Sequence, residues 1–476
     1  MTVLVESKKG DHSSDKIFFV GMKGAPEVVE KFLKEIPESF SFYKKYAKEG
    51  YRVIALAYKK FENSNINLNN LSRNEIEKDL IFSGFILFSC RLKHNAQETI
   101  TALKDSGHKV IMITGDNLLT ALSVAKKLGI DPKGIEGESI DKVLEDKDFI
   151  NFSIFARADP LHKEKILEKY NQMGKFTLMC GDGTNDVGAL KMAHIGVALV
   201  EGGSTTIKIE DFKDDTPQKK LLRRLEKELS ETTTAKMGDA SVAAPFTAKT
   251  GSLESILNII RQGRSALVTT IQMYKILGLN SLVNAFSLSV LDCMGIRFGE
   301  VQMVGSGILV AFAFMFLTSN QPLKEISKKR PLTNIFNPYI LLSVSLQVIV
   351  HIISYFVVIF KVKKIEVLEY KEKFTPSLLN TSLFYLSTTQ QLSTFLVNYI
   401  GRPFRESLLE NKKLFTCLFC LFTFILYLIF EMNPDFNSFM EVVPLGEIRT
   451  FMLYVIGLDI YACFVLEKIC FYVFLL

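Results

Sequence analysis

Met179-Cys180-Gly181-Asp182-Gly183-Thr184-Asn185-Asp186-Val187-Gly188-Ala189-Leu190-Lys191 continues an apolar run, Phe176 to Cys180, and places two carboxylates, Asp182 and Asp186, in a glycine-opened turn. The run is short, hydrophobic and bounded by turn residues, which predicts a buried parallel strand. Ligands of open α/β sheets collect at the carboxyl ends of strands, and Gly181 and Gly183 let the backbone turn tightly at that edge. Mg²⁺ takes oxygen ligands and keeps several of its waters, so one or two carboxylates beside a phosphate suffice to hold it. An Asp/Gly surface turn has the same local sequence, and the rest of the chain decides between the two.

Two further segments lead to the same kind of edge. His108 to Thr114 reads as a second buried strand that ends in Thr114-Gly115-Asp116-Asn117. A threonine hydroxyl followed by a glycine N–H offers two neutral donors suited to the equatorial oxygens of a transferring phosphoryl group. Leu118 to Leu128 then predicts a helix whose N-terminus adds a favourable dipole. The stretch Phe155-Ala156-Arg157-Ala158-Asp159-Pro160-Leu161-His162-Lys163 predicts a short strand, a proline turn and a lysine opening a helix. Lys163 can neutralise phosphoryl charge without geometric demand; taken singly, it reads as a surface helix lysine.

Hydrophobicity divides the 476 residues in two. To about residue 257 charge is spread throughout; beyond it lie apolar stretches of membrane-spanning length, at 268–291, 301–319, 339–360, 381–400, 414–429 and 450–476. Met1 to Val5 is too short an apolar run for a cleavable signal peptide and is followed by Glu6, Lys8 and Lys9. The seven cysteines show no paired framework, and Cys417 and Cys420 fall inside an apolar span, where packing is the expected role. Lys324, Lys328, Lys329 and Arg330, then Arg402, Arg405, Lys412 and Lys413, favour cytoplasmic loops after the second and fourth spans. Lys361, Lys363, Lys364, Lys371 and Lys373 after the third span argue the other way; a nucleotide-binding soluble half selects the first orientation. The net charge of +6 has no interleaved aromatic pattern, so nucleic acid is not expected as a partner and a lipid surface is.

Thr-Gly-Asp, Lys and Asp-Gly-Thr-Asn-Asp, in this order, resemble the haloacid-dehalogenase-type phosphorylation domain of P-type ATPases. Met22-Lys23-Gly24-Ala25-Pro26-Glu27 looks like that family's nucleotide-domain Lys-Gly-Ala-Pro-Glu, and Arg52-Val53-Ile54-Ala55-Leu56-Ala57 like its Arg-x-x-Ala-Leu-Ala strand. The resemblance implies an α/β, Rossmann-like phosphorylation domain at 81–252 and a partial α+β nucleotide-binding domain at 1–80. An all-α domain of six transmembrane helices would follow at 253–476. It implies ATP and Mg²⁺ as cofactors: Lys23 against the adenine, Arg52 reaching the phosphates, and Gly24, Asp116 and Arg157 among the residues that bind the nucleotide. Thr114 and Gly115 would hold the phosphoryl group, Lys163 would contact the phosphorylated carboxylate, Asp182 would ligate Mg²⁺, and Asn185 and Asp186 would complete the site.

Lys236 to Thr247, Ile259 to Arg264 and Gln272 to Leu277 are similar to the type V pumps, and Asn398-Tyr399-Ile400-Gly401-Arg402-Pro403-Phe404-Arg405 resembles subgroup A, the transmembrane-helix dislocases of the endoplasmic reticulum. A multi-pass endoplasmic reticulum protein with cytoplasmic soluble domains is the expectation, moving transmembrane helices of proteins out of the membrane. A cation-transporting pump, or an inactive nucleotide-binding fragment that regulates a full-length pump, is the alternative. The polar arm at about 201–236 reads as a solvated helix or disordered insert. The first two spans carry only Asn280, Asn284, Gln302 and Ser306 inside, which disfavours a cation site, since buried carboxylates mark such sites. Asp459, the acidic residue well inside the last span, reads as a structural partner rather than a transport group, whereas Thr388 to Gln391 suit a polar cavity or a helix contact equally.

The family's covalent step uses an aspartate in Asp-Lys-Thr-Gly-Thr, a segment that does not occur in these residues. The chain alone is therefore expected not to form a phosphoenzyme. Its first residues look like the interior of a nucleotide-domain strand, so it is read as the carboxyl-terminal half of a pump begun at an internal methionine. A separate amino-terminal half is then a candidate partner.

Overall fold

The computed structural model describes residues 1–8, 16–61, 73–89, 92–93, 95–137, 139–199, 244–248, 252–366 and 374–475; the polar arm lies outside them. The chain divides into two compact units, Met1–Leu257 and Asn258–Leu476.

The first unit opens with an antiparallel sheet of β1 (Thr2–Lys8), β2 (Lys16–Gly24), β3 (Tyr51–Phe61) and β4 (Ile81–Ser89), ordered as in the chain. Alternation builds its buried face: Val20 and Met22 on β2 and Val53, Ala55 and Ala57 on β3 pack with Val29, Phe40, Tyr43 and Leu80. Because β4 pairs with β3 from Tyr51↔Ser89 to Tyr58↔Ile81, a boundary at residue 80 would cut a hydrogen-bonded strand pair. This sheet runs on to Ser89.

Parallel strands follow in two three-stranded sheets. One holds β5 (Met112–Ile113), β6 (Gly134–Glu136) and β7 (Ile154–Ala156) in the order β5-β7-β6. The other holds β8 (Leu178–Gly181), β9 (Ile195–Leu199) and β10 (Phe246–Ala248) in the order β10-β9-β8. Both strands expected from sequence form, and both are shorter than expected. The run from His108 contracts to Met112–Ile113, and the run from Phe176 begins at Leu178. Phe176 is 86% exposed, its ring tilted against that of His194. Hydrophobicity sets burial and does not by itself supply ladder partners: among the described residues β5 registers with β7 only at Met112 and Ile113, and β8 with β9 from Leu178 to Gly181.

Helices α1 (Leu118–Leu128), α2 (Pro160–Gln172) and α3 (Val187–Met192) cover these strands. Asn117 caps α1 by accepting from the N–H of Thr120 at 2.8 Å, and Gly129 ends it in a left-handed conformation, φ 70°. The helix α2 touches both sheets: Ile166 and Tyr170 pack with Phe149 and Phe155, while Leu167 packs with Met179 and Ala198. One helix thus fixes the ends of β7 and β8 relative to each other.

The second unit is helical: α4 (Glu254–Cys293), α5 (Glu300–Thr318), α6 (Pro338–Val362), α7 (Leu378–Val397), α8 (Lys412–Ile429) and α9 (Arg449–Leu475). Five of these, all but α7, are long and apolar enough to cross a membrane. The helix α7 is buried from Leu379 to Phe395 although it is rich in serine, threonine and glutamine. It packs against α5, α6, α8 and α9. Three of its polar groups bond to other helices: Thr394 donates to Asn280 at 2.9 Å, Gln391 to Asn284 at 2.7 Å, and Asn380 accepts from Gln302 at 2.9 Å. Polar side chains that bond across helices hold an interior helix in place without facing lipid.

Candidate functional site

The loop after β5 and the loop after β7 are zipped together by backbone hydrogen bonds. Thr114 N–H donates to Phe155 O at 2.9 Å, Ala158 N–H to Thr114 O at 3.0 Å, and Arg157 N–H to Asp116 O at 2.9 Å. The Asp116 N–H also donates to Thr114 Oγ1 at 3.1 Å. That bond uses a lone pair of the hydroxyl and leaves its proton free for an acceptor in the loop. Gly115, next in the chain, is exposed.

Asp159 caps α2 with a reciprocal bond to His162, and Lys163 follows in the first turn. From there Lys163 Nζ reaches Asp186 Oδ1 at 2.7 Å, with side-chain exposures of 13% and 9%. The pair connects the loop after β7 with the loop after β8. Asp186 also accepts from the Gly183 N–H at 3.3 Å. The fit depends on Gly181: a Cβ there would lie 2.6 Å from Asp186 Oδ2 and 2.7 Å from its Cβ. Asp182 has the opposite environment, its side chain 54% exposed and its nearest cation Lys93 at 3.9 Å. Asn185 is exposed in the turn between them.

The residues expected near a nucleotide lie at the contact of the first sheet with these loops. Arg52 on β3 pairs with Asp116 at 3.5 Å, and Arg157 pairs with Glu27 at 2.9 Å and with Glu136 at 3.7 Å. Arg157 is held at φ 51°, a left-handed conformation costly for a residue with a Cβ. Its backbone bond to Asp116 and its two carboxylate partners over-determine it. Lys23 is exposed on β2, and Gly24, the last residue of that strand, pairs with Ala55, three residues before Glu27.

A family model of haloacid dehalogenase-like hydrolases matches residues 20–194. The chain is 33% identical to the endoplasmic reticulum transmembrane helix translocase of Schizosaccharomyces pombe, over 95% of this chain and 48% of that protein. It is 33% identical to the protein of the same name from Saccharomyces cerevisiae, over 91% of this chain and 47% of that protein. The chain belongs to the P-type ATPases of type V, subgroup A. The polyamine-transporting ATPase 13A3 of Mus musculus is more distant, at 26% identity over 94% of this chain and 42% of that protein. This P-type ATPase chain spans about half the length of the curated relatives it matches. Its haloacid-dehalogenase-like region is followed by a helical region with several apolar helices, and it is a multi-pass protein of the endoplasmic reticulum membrane.

Mg²⁺ and ATP are what this family uses, and the residues fit a hard cation and an anion. Asp182 offers an open carboxylate, whereas Asp186 is already engaged by Lys163 and Gly183. Cys180, the other metal-ligating type beside them, does not compete. Burial pushes its thiol up to about 11, Lys93 opposes that shift and Asp182 and Asp186 reinforce it, so it stays protonated at neutral pH. Sequence reasoning missed Lys93 beside Asp182 and the carboxylates of Glu27 and Glu136 around Arg157. Glu27 sits in a quoted motif, so its charge was a usable signal; Lys93 and Glu136 lie in segments with no motif.

Proposed function

We propose that this chain is the carboxyl-terminal part of an ATP-driven pump that couples ATP hydrolysis, through an aspartyl-phosphate, to moving transmembrane helices of proteins out of the endoplasmic reticulum membrane. The observation that carries the reading is the 2.7 Å contact of Lys163 with Asp186, which ties the segment after β7, itself hydrogen-bonded to Thr114 through Ala158, to the turn that carries the open carboxylate of Asp182. In this proposal residues 1 to about 89 belong to a nucleotide-binding domain, about 90–252 to the phosphorylation domain, and 253–476 to six transmembrane helices with the soluble parts cytoplasmic. Lys23, Gly24, Arg52, Asp116 and Arg157 bind the nucleotide.

Phosphoryl transfer calls mainly for positioning and charge stabilisation. The Thr114 O–H and Gly115 N–H donate to the transferring group's oxygens, and the Lys163 ammonium offsets its charge. Asp186 holds that ammonium in place, and Asn185 stands at the rim of the same turn. Mg²⁺ held by Asp182 would supply charge neutralisation at the phosphate oxygens. The aspartate that receives the phosphoryl group comes from a segment outside these residues, supplied by an amino-terminal half. At one cavity the lining favours a peptide helix over a cation as cargo: a space of about 270 Å³ between α4, α5 and α7 is lined by Asn280, Asn284, Gln302, Ser306, Thr388 and Gln391 with apolar side chains, and among the described residues no carboxylate lines it.

The test is acyl-phosphate labelling from γ-labelled ATP, with and without a supplied amino-terminal half. Label is expected only with that half, and Lys163→Met lowers its rate of formation roughly 100- to 1000-fold. Absence of label in both conditions would leave the chain as a nucleotide-binding regulator.

A further inference from the structure

The helices α6 and α9 meet along two polar stripes. Ser343, Gln347 and His351 recur every four residues on α6, and Asp459, Cys463 and Glu467 do so on α9. At the level of Glu467 the buried charge is matched: Lys275 lies 2.8 Å away, and Tyr339 and Ser343 donate to the same carboxylate. Asp459 is different. Among the described residues no lysine or arginine pairs with it, and its partners are His351 Nδ1, at 2.9 and 3.1 Å from the two oxygens, and Gln390 Nε2 at 2.9 Å. Cys463 Sγ lies 4.0 Å from His351 Nδ1 and 3.9 Å from Nε2. All four side chains are 1–2% exposed.

We propose that His351, Asp459 and Cys463 form a buried site for a divalent transition-metal ion of the zinc class, which clamps α6 to α9. One nitrogen, one oxygen and one sulfur, each from a different side chain, lie within 4.8 Å of one another. A tetrahedral centre with bonds of about 2.0–2.3 Å separates its ligands by about 3.3–3.8 Å, so small rotations of these side chains complete the geometry. The mixed imidazole, thiolate and carboxylate set suits zinc, cobalt or iron and not magnesium or calcium. Charge balances as well: a dication, a thiolate and a carboxylate sum to zero, which removes the cost of an unmatched carboxylate inside a membrane region. On binding, Cys463 releases its thiol proton to solvent, and His351 binds through Nδ1 with its proton on Nε2.

Gln390, from α7, completes the arrangement. Its amide holds Asp459 Oδ2, the role of an outer partner that orients a ligating carboxylate. Its Oε1 is a buried acceptor with no hydrogen-bond partner, which makes it the candidate fourth ligand. An imidazolium–carboxylate pair would use His351 and Asp459 and would leave Cys463 and that oxygen without a role.

Cobalt titration of the full chain in detergent tests the site, because thiolate ligation to Co²⁺ gives a near-ultraviolet charge-transfer band. The expected result is a band that saturates at one ion per chain, persists in Cys417→Ser and disappears in Cys463→Ser. In Gln390→Leu, cobalt affinity falls roughly 10- to 100-fold with the band retained. No band in the unaltered chain, or a band that survives in a Cys463→Ser chain with the parent's size-exclusion profile, overturns the proposal.

Discussion

Replacing Gly181 by alanine tests whether the Asp186 tuck holds the phosphate-site loops together. The added methyl would sit 2.6–2.8 Å from Asp186 Oδ2, Cβ and Cγ, closer than side-chain carbons approach in folded proteins, so the carboxylate must move. Moving it costs about 1–3 kcal/mol of overpacking. Displacement also breaks the 2.7 Å contact with Lys163, where one partner is 13% and the other 9% exposed. Losing a partner in a buried pair costs about 3–5 kcal/mol, and partial solvent access to Lys163 lowers that figure. The carboxylate either bears the clash or gives up the contact, so the two costs do not add, and a local destabilisation of about 2–4 kcal/mol corresponds to a roughly 30- to 1000-fold loss of protection. Amide hydrogen exchange across Leu178–Leu199 reads this segment directly, which matters because a two-unit chain does not unfold in one step. In an Asp186→Gly background all three contacted atoms are gone, and Gly181→Ala should then change protection by less than about threefold. An equal loss in both backgrounds would show that the methyl strikes something else and would refute the argument.

Two more perturbations follow from buried and loop charges. Lys275→Met leaves Glu467 buried without its cation and should destabilise the helical unit by about 3–5 kcal/mol; Lys275→Met with Glu467→Gln, which keeps an acceptor for Tyr339 and Ser343, should recover most of it in detergent thermal unfolding. A double variant no more stable than the single would disprove the ion-pair account. In the loop between α7 and α8, Arg402, then the Ser407 N–H and hydroxyl, hold the Glu410 carboxyl down at about 2 from an ordinary value of 4.5. A depressed carboxyl contributes stability above its unfolded value and loses it as pH falls from about 4.5 toward 2. Pepsin cleavage within 398–411 should rise over that window, and Glu410→Gln should abolish the rise.

Much of the site was legible because its signals are local. The glycine-bounded Asp182 turn and the helix at Leu118–Leu128 depend on residues a few positions apart, and the structure places both where the sequence put them, whereas Pro160, expected in a turn before the helix of Lys163, is the first residue of that helix. Strand lengths were not legible, since a short apolar run shows what is buried and not where its pairing with β7 or β9 stops. Nor was the burial of α7. Its serines, threonines and glutamines have the composition of a cavity wall and of a helix contact alike, and here they serve both: Gln391 bonds Asn284 while it and Thr388 line the cavity.

From the order of its motifs and the length of its apolar stretches, the sequence alone determined a haloacid-dehalogenase-like α/β region followed by membrane helices. Such properties are written in neighbouring residues, through turn chemistry and hydrophobic periodicity. Partnership was decided only in three dimensions. Lys163 could have been a surface lysine until packing brought it to Asp186, 23 positions away, and Asp459 had no named partner until α6 and α7 placed His351 and Gln390 beside it. Side chains far apart in the chain are joined by how helices and sheets stack, and that stacking follows from the sum of many contacts rather than from any short segment.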